Sequence, residues 1–394
     1  MSERSVPPIL TKQIPYGRHW VGPEEQEEVR DTLEQGYLTS GPKVEIFENR
    51  IREYLGASHT VAVSSCSAAL HLALLALGIG PGDEVVTTVF TYVATSNAIL
   101  HTGATPIFID IDPATYNIDA SRIEKKITSR TKALLVVHYA GQPCRMSEIR
   151  QIAERRRLFV VEDASHAIGA SYRGEKIGAA SDAACFSFHP VKNMTTAEGG
   201  LVATRLEKAA NLIRVLRLHG ISEDYRARET KDRFEYPQML HLGFKYNMTD
   251  LQASLGLQQL KKLESFEKRR AEIAGFYADS LADLKEIELP RVSPDVEHAW
   301  HLFVIRLNLD RLAIDRGQLM KELEVRGIST SVHYLPVHLQ PYYKKRFGFK
   351  EGDFPLSEKA YESVLTLPLF PKMSDGDAGR VVEALREAVF KHRK

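Results

Sequence analysis

Residues 84–111 read EVVTTVFTYVATSNAILHTGATPIFIDI. From Val85 to Ile109 the stretch carries no Asp, Glu, Lys or Arg, which is long enough to cross a bilayer. Its interruptions argue against that. Thr87, Thr88, Ser96, Asn97, His101, Gly103 and Pro106 break the apolar run, and a β-branched segment at each end flanks a middle of helical period. The reading is therefore strand, helix, strand, buried in a protein core and outside any membrane.

The same alternation extends along the chain. Short β-branched runs at 60–64, 84–89, 106–111, 132–138 and 158–163 predict strands, with helices such as 67–77 between them. This is the pattern of parallel strands joined by crossover helices, an α/β fold. The Gly-Pro-Gly-Asp at 80–83 is a turn. A hairpin is expected at 172–177, and strands at 183–188 and 200–204, all added to one sheet. From Met248 to Leu289 there is no proline and the apolar spacing is helical, so one or two long helices leave the large domain there. Beyond them, strands at 302–307 and 328–334 flank a helix at 318–326, and Ser374 with Asp377 gives a capping signal for the last helix. The expected organisation is an arm (1–20), a large α/β domain (21–260) and a small α+β domain (261–394).

At roughly 150 residues per domain, 394 residues fit two or three domains with a sizeable core. Lys plus Arg is 52 and Asp plus Glu 51, a net charge of +1, so no whole-chain field attracts nucleic acid. Any anionic ligand must be caught locally. Three scattered cysteines, Cys66, Cys144 and Cys185, form no CxxC pair and point to a reducing, cytoplasmic setting; the start of the chain shows no export signal.

Several chemistries fail on motif grounds. Gly78-Ile-Gly-Pro-Gly82 looks like part of a dinucleotide fingerprint but follows a helix and precedes a strand, the reverse of the required order. Neither a GxxxxGK[ST] loop nor a GxSxG elbow occurs. His298 and His301 lack nearby carboxylates or thiols and read as packed or surface histidines rather than metal ligands, as do His333 and His338. What remains is Asp163, at the carboxyl end of a buried strand, and Lys192, just past the strand at 183–188. An amine and a carboxylate at the top of one sheet suit pyridoxal phosphate chemistry, which needs one group to bond the aldehyde and one to hold the ring-nitrogen proton. A surface lysine and a capping aspartate is the plainer alternative. The serines in 64–68 lie where a helix start favours an anion, or form a simple N-cap. Tyr92 either stacks on a ligand ring or sits in the core.

A resemblance adds to this. FSFHPVKNMTTAEGG (186–200), VEDASHAIGASYRGEKIG (161–178), TSGPKVEIFENRI (39–51), ALGIGPGDEVVTTVFTYVATSNAI (76–99), FIDIDPATYNID (108–119) and KYNMTDLQASLG (245–256) resemble, in order and over nearly the whole chain, the DegT/DnrJ/EryC1/StrS family of sugar aminotransferases. HAWHLFVIRLN (298–308), VHYLPVHLQPYY (332–343) and LPLFPKMSD (367–375) look most like the members that aminate C4 of UDP-linked 4-keto sugars in pseudaminic acid and 4-amino-arabinose synthesis.

The resemblance implies a type I aminotransferase fold, a large mostly parallel sheet between helices plus a small domain, with pyridoxal 5′-phosphate as cofactor. It implies that Lys192 bonds the cofactor and shuttles a proton, that Asp163 pairs with the ring nitrogen, that Tyr92 stacks and that His166 contacts the 3′-oxygen side. Ser67, Ala68 and Ser187 match the phosphate cup, and Asn247 matches a residue reaching the phosphate of the neighbouring subunit, so the site is composite and the protein a homodimer. Cys66-Ser67 stands where many relatives have Gly-Thr. His189, Lys245 and His333, with Arg214, Arg217 and His219, are candidates to meet the substrate. The implied reaction is a ping-pong transfer from L-glutamate, released as 2-oxoglutarate, to C4 of a UDP-linked 4-keto, 6-deoxy sugar for a surface glycan. The alternatives are a nucleotide-sugar dehydratase, against which Lys192 speaks, and a non-catalytic sugar-binding or regulatory member.

Overall fold

The computed structural model describes residues 13–221 and 237–394; residues 1–12, most of the expected arm, lie outside the described part. A seven-stranded sheet forms the large domain from β1 (His59–Val63), β2 (Glu84–Thr88), β3 (Thr105–Ile109), β4 (Thr131–Val137), β5 (Phe159–Asp163), β8 (Ala183–Ser187) and β9 (Gly200–Thr204), in the order β1-β9-β8-β5-β4-β2-β3. Pairing is parallel from β8 through β3, and β9 runs antiparallel to both β8 and β1. Apolar clusters cover both faces: Leu70, Leu72 and Ile213 pack with Val61 and Val85 on one, Phe47, Phe186 and Leu201 on the other. Burial on both sides explains why these strands read as continuous β-branched runs rather than alternating ones.

Parallel pairing sends the carboxyl ends of β2, β4, β5 and β8 to one edge, and the segments that follow them meet there. Three residues past β2, Thr91 opens the turn into the helix Val93–His101; β5 ends on Asp163 itself, and the loop after β8 carries Lys192. The helix Cys66–Ala76 starts at the end of β1 on the N-cap Ser65, whose side chain accepts the N–H of Ala68. Gly200 makes this start possible. A Cβ there would lie 2.3 Å from the carbonyl carbon of Ser65 and 2.6 Å from the Cys66 nitrogen, backbone atoms that cannot swing aside.

The hairpin at β6 (Ser171–Tyr172) and β7 (Glu175–Lys176) forms as expected but does not join the large sheet. It pairs instead with β11 (Val296–Glu297) in a separate three-stranded sheet. Two-residue strands offer too few ladder bonds for the sequence to fix their partner. The small domain's sheet consists of β10 (Ile287–Glu288), β12 (Phe303–Leu307) and β13 (Val364–Leu367). The strand expected at 328–334 is absent: the segment makes single bridges at Ile328 and Ser331, and His333 and Tyr334 turn towards the sheet edge. The partner of β12 is β13, whose four residues directly follow the helix Pro355–Ser363.

One helix, Asp250–Leu281, spans the junction. Its cap is the box Thr249 with Gln252, and the carboxylate of Asp250 accepts the N–H groups of Gly41, Lys43 and Val44, capping the helix Pro42–Leu55 as well. Ala253 and Leu263 pack in the large domain; Ile273, Tyr277 and Leu281 pack in the small-domain core. Residue 260 therefore lies within a continuous helix and not at a break in the chain. A second tie comes from Asp110, just beyond β3, whose carboxylate accepts the N–H groups of Leu356 and Ser357 at 2.9 Å each.

Because the clash at Gly200 is with backbone, Gly200→Ala is expected to lower unfolding stability by about 1–3 kcal/mol, measured by urea denaturation. A variant as stable as the native chain would contradict the close approach drawn here.

Candidate active site

At the edge where these strands end is a cavity of about 380 Å³. Asp163 lies on its wall, 4% exposed. Its Oδ2 accepts the Thr95 hydroxyl at 2.7 Å and its Oδ1 the Ser165 N–H at 3.2 Å. Thr91 Oγ1 is 2.8 Å from Thr95 Oγ1, one helical turn earlier, so the two hydroxyls relay towards the carboxylate. Spacing i, i+4 was the available signal for this pair, and it carries no weight until the helix is seen to point at Asp163.

Lys192 lines the same cavity, in a loop fixed by Lys192 N–H to His189 O and by Thr196 N–H to Phe188 O, both 2.9 Å. Burial pulls its amine down from 10.5 to about 8, against the opposing pull of Cys66 and Asp163. An appreciable fraction is thus neutral, and so nucleophilic, near neutral pH.

Ser67 faces the cavity beside Cys66, while Ala68, expected in the phosphate cup, does not line it, and its N–H is taken by Ser65 Oγ at 3.1 Å. The N–H groups of Cys66 and Ser67, first in their helix, have no intrahelical acceptor. Those two, with the hydroxyls of Ser65, Ser67 and Ser187, make an anion seat that needs no arginine. Tyr92 is 61% exposed and lines the cavity, which excludes a core role.

His166 is buried, and its Nε2 lies 3.0 Å from the Tyr334 hydroxyl. Burial, then the charges of Lys192 and His333, hold it well below 6.5. His333 is likewise pushed down to about 4, its Nδ1 2.7 Å from Thr366 Oγ1. His189 stands exposed at the rim with Glu198. Tyr334, Thr95, Glu198 and Tyr16 line the cavity as well and escaped the residue-by-residue reading, because they come from four separate segments; His301, which the sequence reads as a packed or surface histidine, lines it too.

Other candidates lie elsewhere in the chain. Asn247 bridges to Val63 and donates to Ser40 Oγ at 2.8 Å, and Lys245 is exposed, bridged to Leu218; neither lines the cavity. Arg217 is ion-paired with Glu48 at 2.5 Å, and with Arg214 it borders a second, polar cavity of about 460 Å³. His219 hydrogen-bonds through its backbone to Phe244. Among the described residues no group of three or more His, Cys, Asp or Glu could hold a metal, and no helix is long and apolar enough to cross a membrane.

The donor set fits a phosphorylated pyridoxal: a deep amine, a carboxylate held by donors, an anion seat at a helix start, an aromatic ring at the mouth, and two buried imidazoles, His166 and His301, whose Nδ1 atoms have no partner among the described residues. Comparison with known proteins agrees with this. Residues 20–386 match the model of the DegT/DnrJ/EryC1/StrS aminotransferase family. The chain is 47% identical over 377 residues to the spore coat polysaccharide biosynthesis protein SpsC of Bacillus subtilis, covering 95% of this chain and 97% of that protein. Its fold matches Spr1654 of Streptococcus pneumoniae in its PMP-form, with TM-score 0.91, 33% identity and coverage of 96% and 99%. It also matches Helicobacter pylori PseC, an aminotransferase involved in the biosynthesis of pseudoaminic acid, with TM-score 0.90, 27% identity and coverage of 96% and 100%.

The amine of Lys192 sets a pH dependence. Covalent capture of added pyridoxal 5′-phosphate by the apoprotein, followed by absorbance, should rise with pH through a midpoint near 8, because only the neutral amine attacks. A midpoint near 10.5 would mean that burial does not act on this lysine.

Proposed function

We propose, from the premise that the chain belongs to the DegT/DnrJ/EryC1/StrS aminotransferase family and uses pyridoxal 5′-phosphate, that it moves the amino group of L-glutamate to C4 of a UDP-linked 4-keto, 6-deoxy sugar in surface-glycan synthesis. The observation that carries this reading is Lys192 and Asp163 on one cavity wall with the unspent N–H groups of Cys66 and Ser67 beside them.

Each residue then has a task. Cys66, Ser67 and Ser187 would hold the phosphate, Tyr92 would lie against the ring, and Asp163, kept in place by Thr95 and Ser165, would hold the ring-nitrogen proton. The bound cofactor supplies an electron sink for the bond that breaks at the amino-bearing carbon. The Lys192 amine, which burial pulls down to about 8, would serve as the base and acid that moves a proton at the amino-bearing carbon. His166 stays neutral and offers a hydrogen bond instead of a charge. Glutamate enters and 2-oxoglutarate leaves before the keto sugar binds, a ping-pong order.

The cavity wall carries four histidines and no arginine among the described residues. A dicarboxylate and a diphosphate both need cations, so we assign the remainder to a second copy of the chain, with Asn247 reaching the partner's phosphate seat in a homodimer. The three free, buried cysteines fit a cytoplasmic enzyme.

The test is a product assay with ¹⁵N-glutamate and a panel of UDP-4-keto sugars. An amino sugar carrying the label supports the reading, and Lys192→Ala abolishes its formation. Loss of a sugar hydroxyl without uptake of nitrogen identifies a dehydratase, and a chain with no spectral response to pyridoxal phosphate is a binding protein. Asn247→Ala is expected to weaken cofactor retention; a fully active monomer would contradict the composite site.

A further inference from the structure

Arg270 is the largest fully buried side chain in the described protein, 1% exposed, and it has no ion pair among the described residues. Its Nη1 instead donates to three backbone carbonyls, Trp300 O at 3.2 Å, His301 O at 3.3 Å and Leu369 O at 2.9 Å. Burying a guanidinium without a direct ion pair is expensive even with Glu267 near enough to favour its charge, and an apolar side chain of similar volume would fill the space at less cost. The reason for an arginine must lie in what it holds.

It holds the segment 299–302, of which His301 lines the cavity. Trp300 lies in the left-handed region at φ 46°, a conformation that other contacts must enforce. The segment is also pinned by Asn193, next to Lys192 in sequence, which donates to Ala299 O at 2.7 Å. Ala299 and Leu302 donate to the carbonyls of Gly141 and Ala140. At Gly141, φ 98°, a Cβ would meet His166 O at 2.9 Å and His301 N at 3.1 Å, so only glycine lets the two histidine backbones approach this closely. Their rings stand 4.4 Å apart. The third carbonyl, Leu369, lies three residues beyond Thr366, the partner of His333.

We infer that Arg270 is a positioning residue for amino transfer, gathering these carbonyls so that His301 stands against His166 with its unpartnered Nδ1 presented to a polar edge of the bound reactants. The inference rests on the transaminase reading above. The groups facing His301 are His166, Lys192, Arg270 and His333; burial first, then their charges, keep it well below 6.5, so it acts as a neutral hydrogen-bonding group.

The experiment is a double-mutant cycle on the full chain with Arg270→Lys, Arg270→Met and His301→Asn. It is read by single-turnover reaction with L-glutamate and by hydrogen exchange in both apoprotein and holoprotein. Arg270→Met should speed exchange at 299–302 by about tenfold while β4 and β5 stay protected, and slow amino transfer on the order of tenfold; Arg270→Lys should recover most of both. His301→Asn should slow transfer similarly without raising exchange, and the double variants should be no slower than the worse single one. If Arg270→Met yields no folded protein, Arg270→Gln, whose shorter amide cannot reach all three carbonyls, completes the cycle with His301→Asn. Additive losses, or native exchange and native rate in Arg270→Met or Arg270→Gln, would overturn the inference. Exchange that changes as expected in a chain inert to glutamate would sink the transaminase reading and leave the bracing of 299–302 intact.

Discussion

A carboxylate buried at the end of a parallel strand is the constraint around which the large domain is arranged. Asp163 has almost no access to water, so its charge must be met by fixed donors. Those donors come from two other places, the Thr91–Thr95 relay at the start of one helix and the N–H of Ser165 in the following loop. Parallel topology is what brings them together, because the turns that follow β2 and β5 open on the same edge. Lys192 shares that environment with the opposite consequence: the burial that makes Asp163 dependent on donors pulls the amine towards neutrality. One desolvated pocket thus supports a fixed carboxylate and a reactive amine.

Joining the two domains is the second requirement, since His301, His333 and Tyr334 reach the cavity from beyond the long helix. The helix Asp250–Leu281 solves it by rooting its first half in the large domain and its last turns in the small-domain core. Asp110, at the far edge of the sheet, repeats the tie by capping the helix Pro355–Ser363. The cavity wall is therefore contributed by both domains and fixed by buried polar contacts, which are more directional than apolar packing.

How much of this could be read from the residues alone follows the range of the interactions. Most of the strand and helix periodicity, a serine-led helix start within 64–68, the Ser374 cap and the placement of Asp163 and Lys192 are local, and the structure has them where the sequence puts them, while the strand expected at 328–334 is absent. Tyr92 was open between core and ligand until its exposure was known. The roles of Thr95, Tyr334 and His301 were not legible, because each depends on a neighbour 68 or more residues away or on a loop held from behind. For the same reason His301 read as an idle histidine, and the β6–β7 hairpin was assigned to the wrong sheet. The net charge of +1 gave no sign of an anion site, since the cup uses helix N–H groups and hydroxyls in place of basic side chains.

The central claim is that Lys192 is the amine that holds the cofactor opposite Asp163. Reducing the holoprotein with borohydride fixes the cofactor to whichever lysine carries it, and peptide mass spectrometry then reads the position. The account predicts the pyridoxyl mass on the peptide containing Lys192 and on no other. A label on a different lysine, or none, would contradict it.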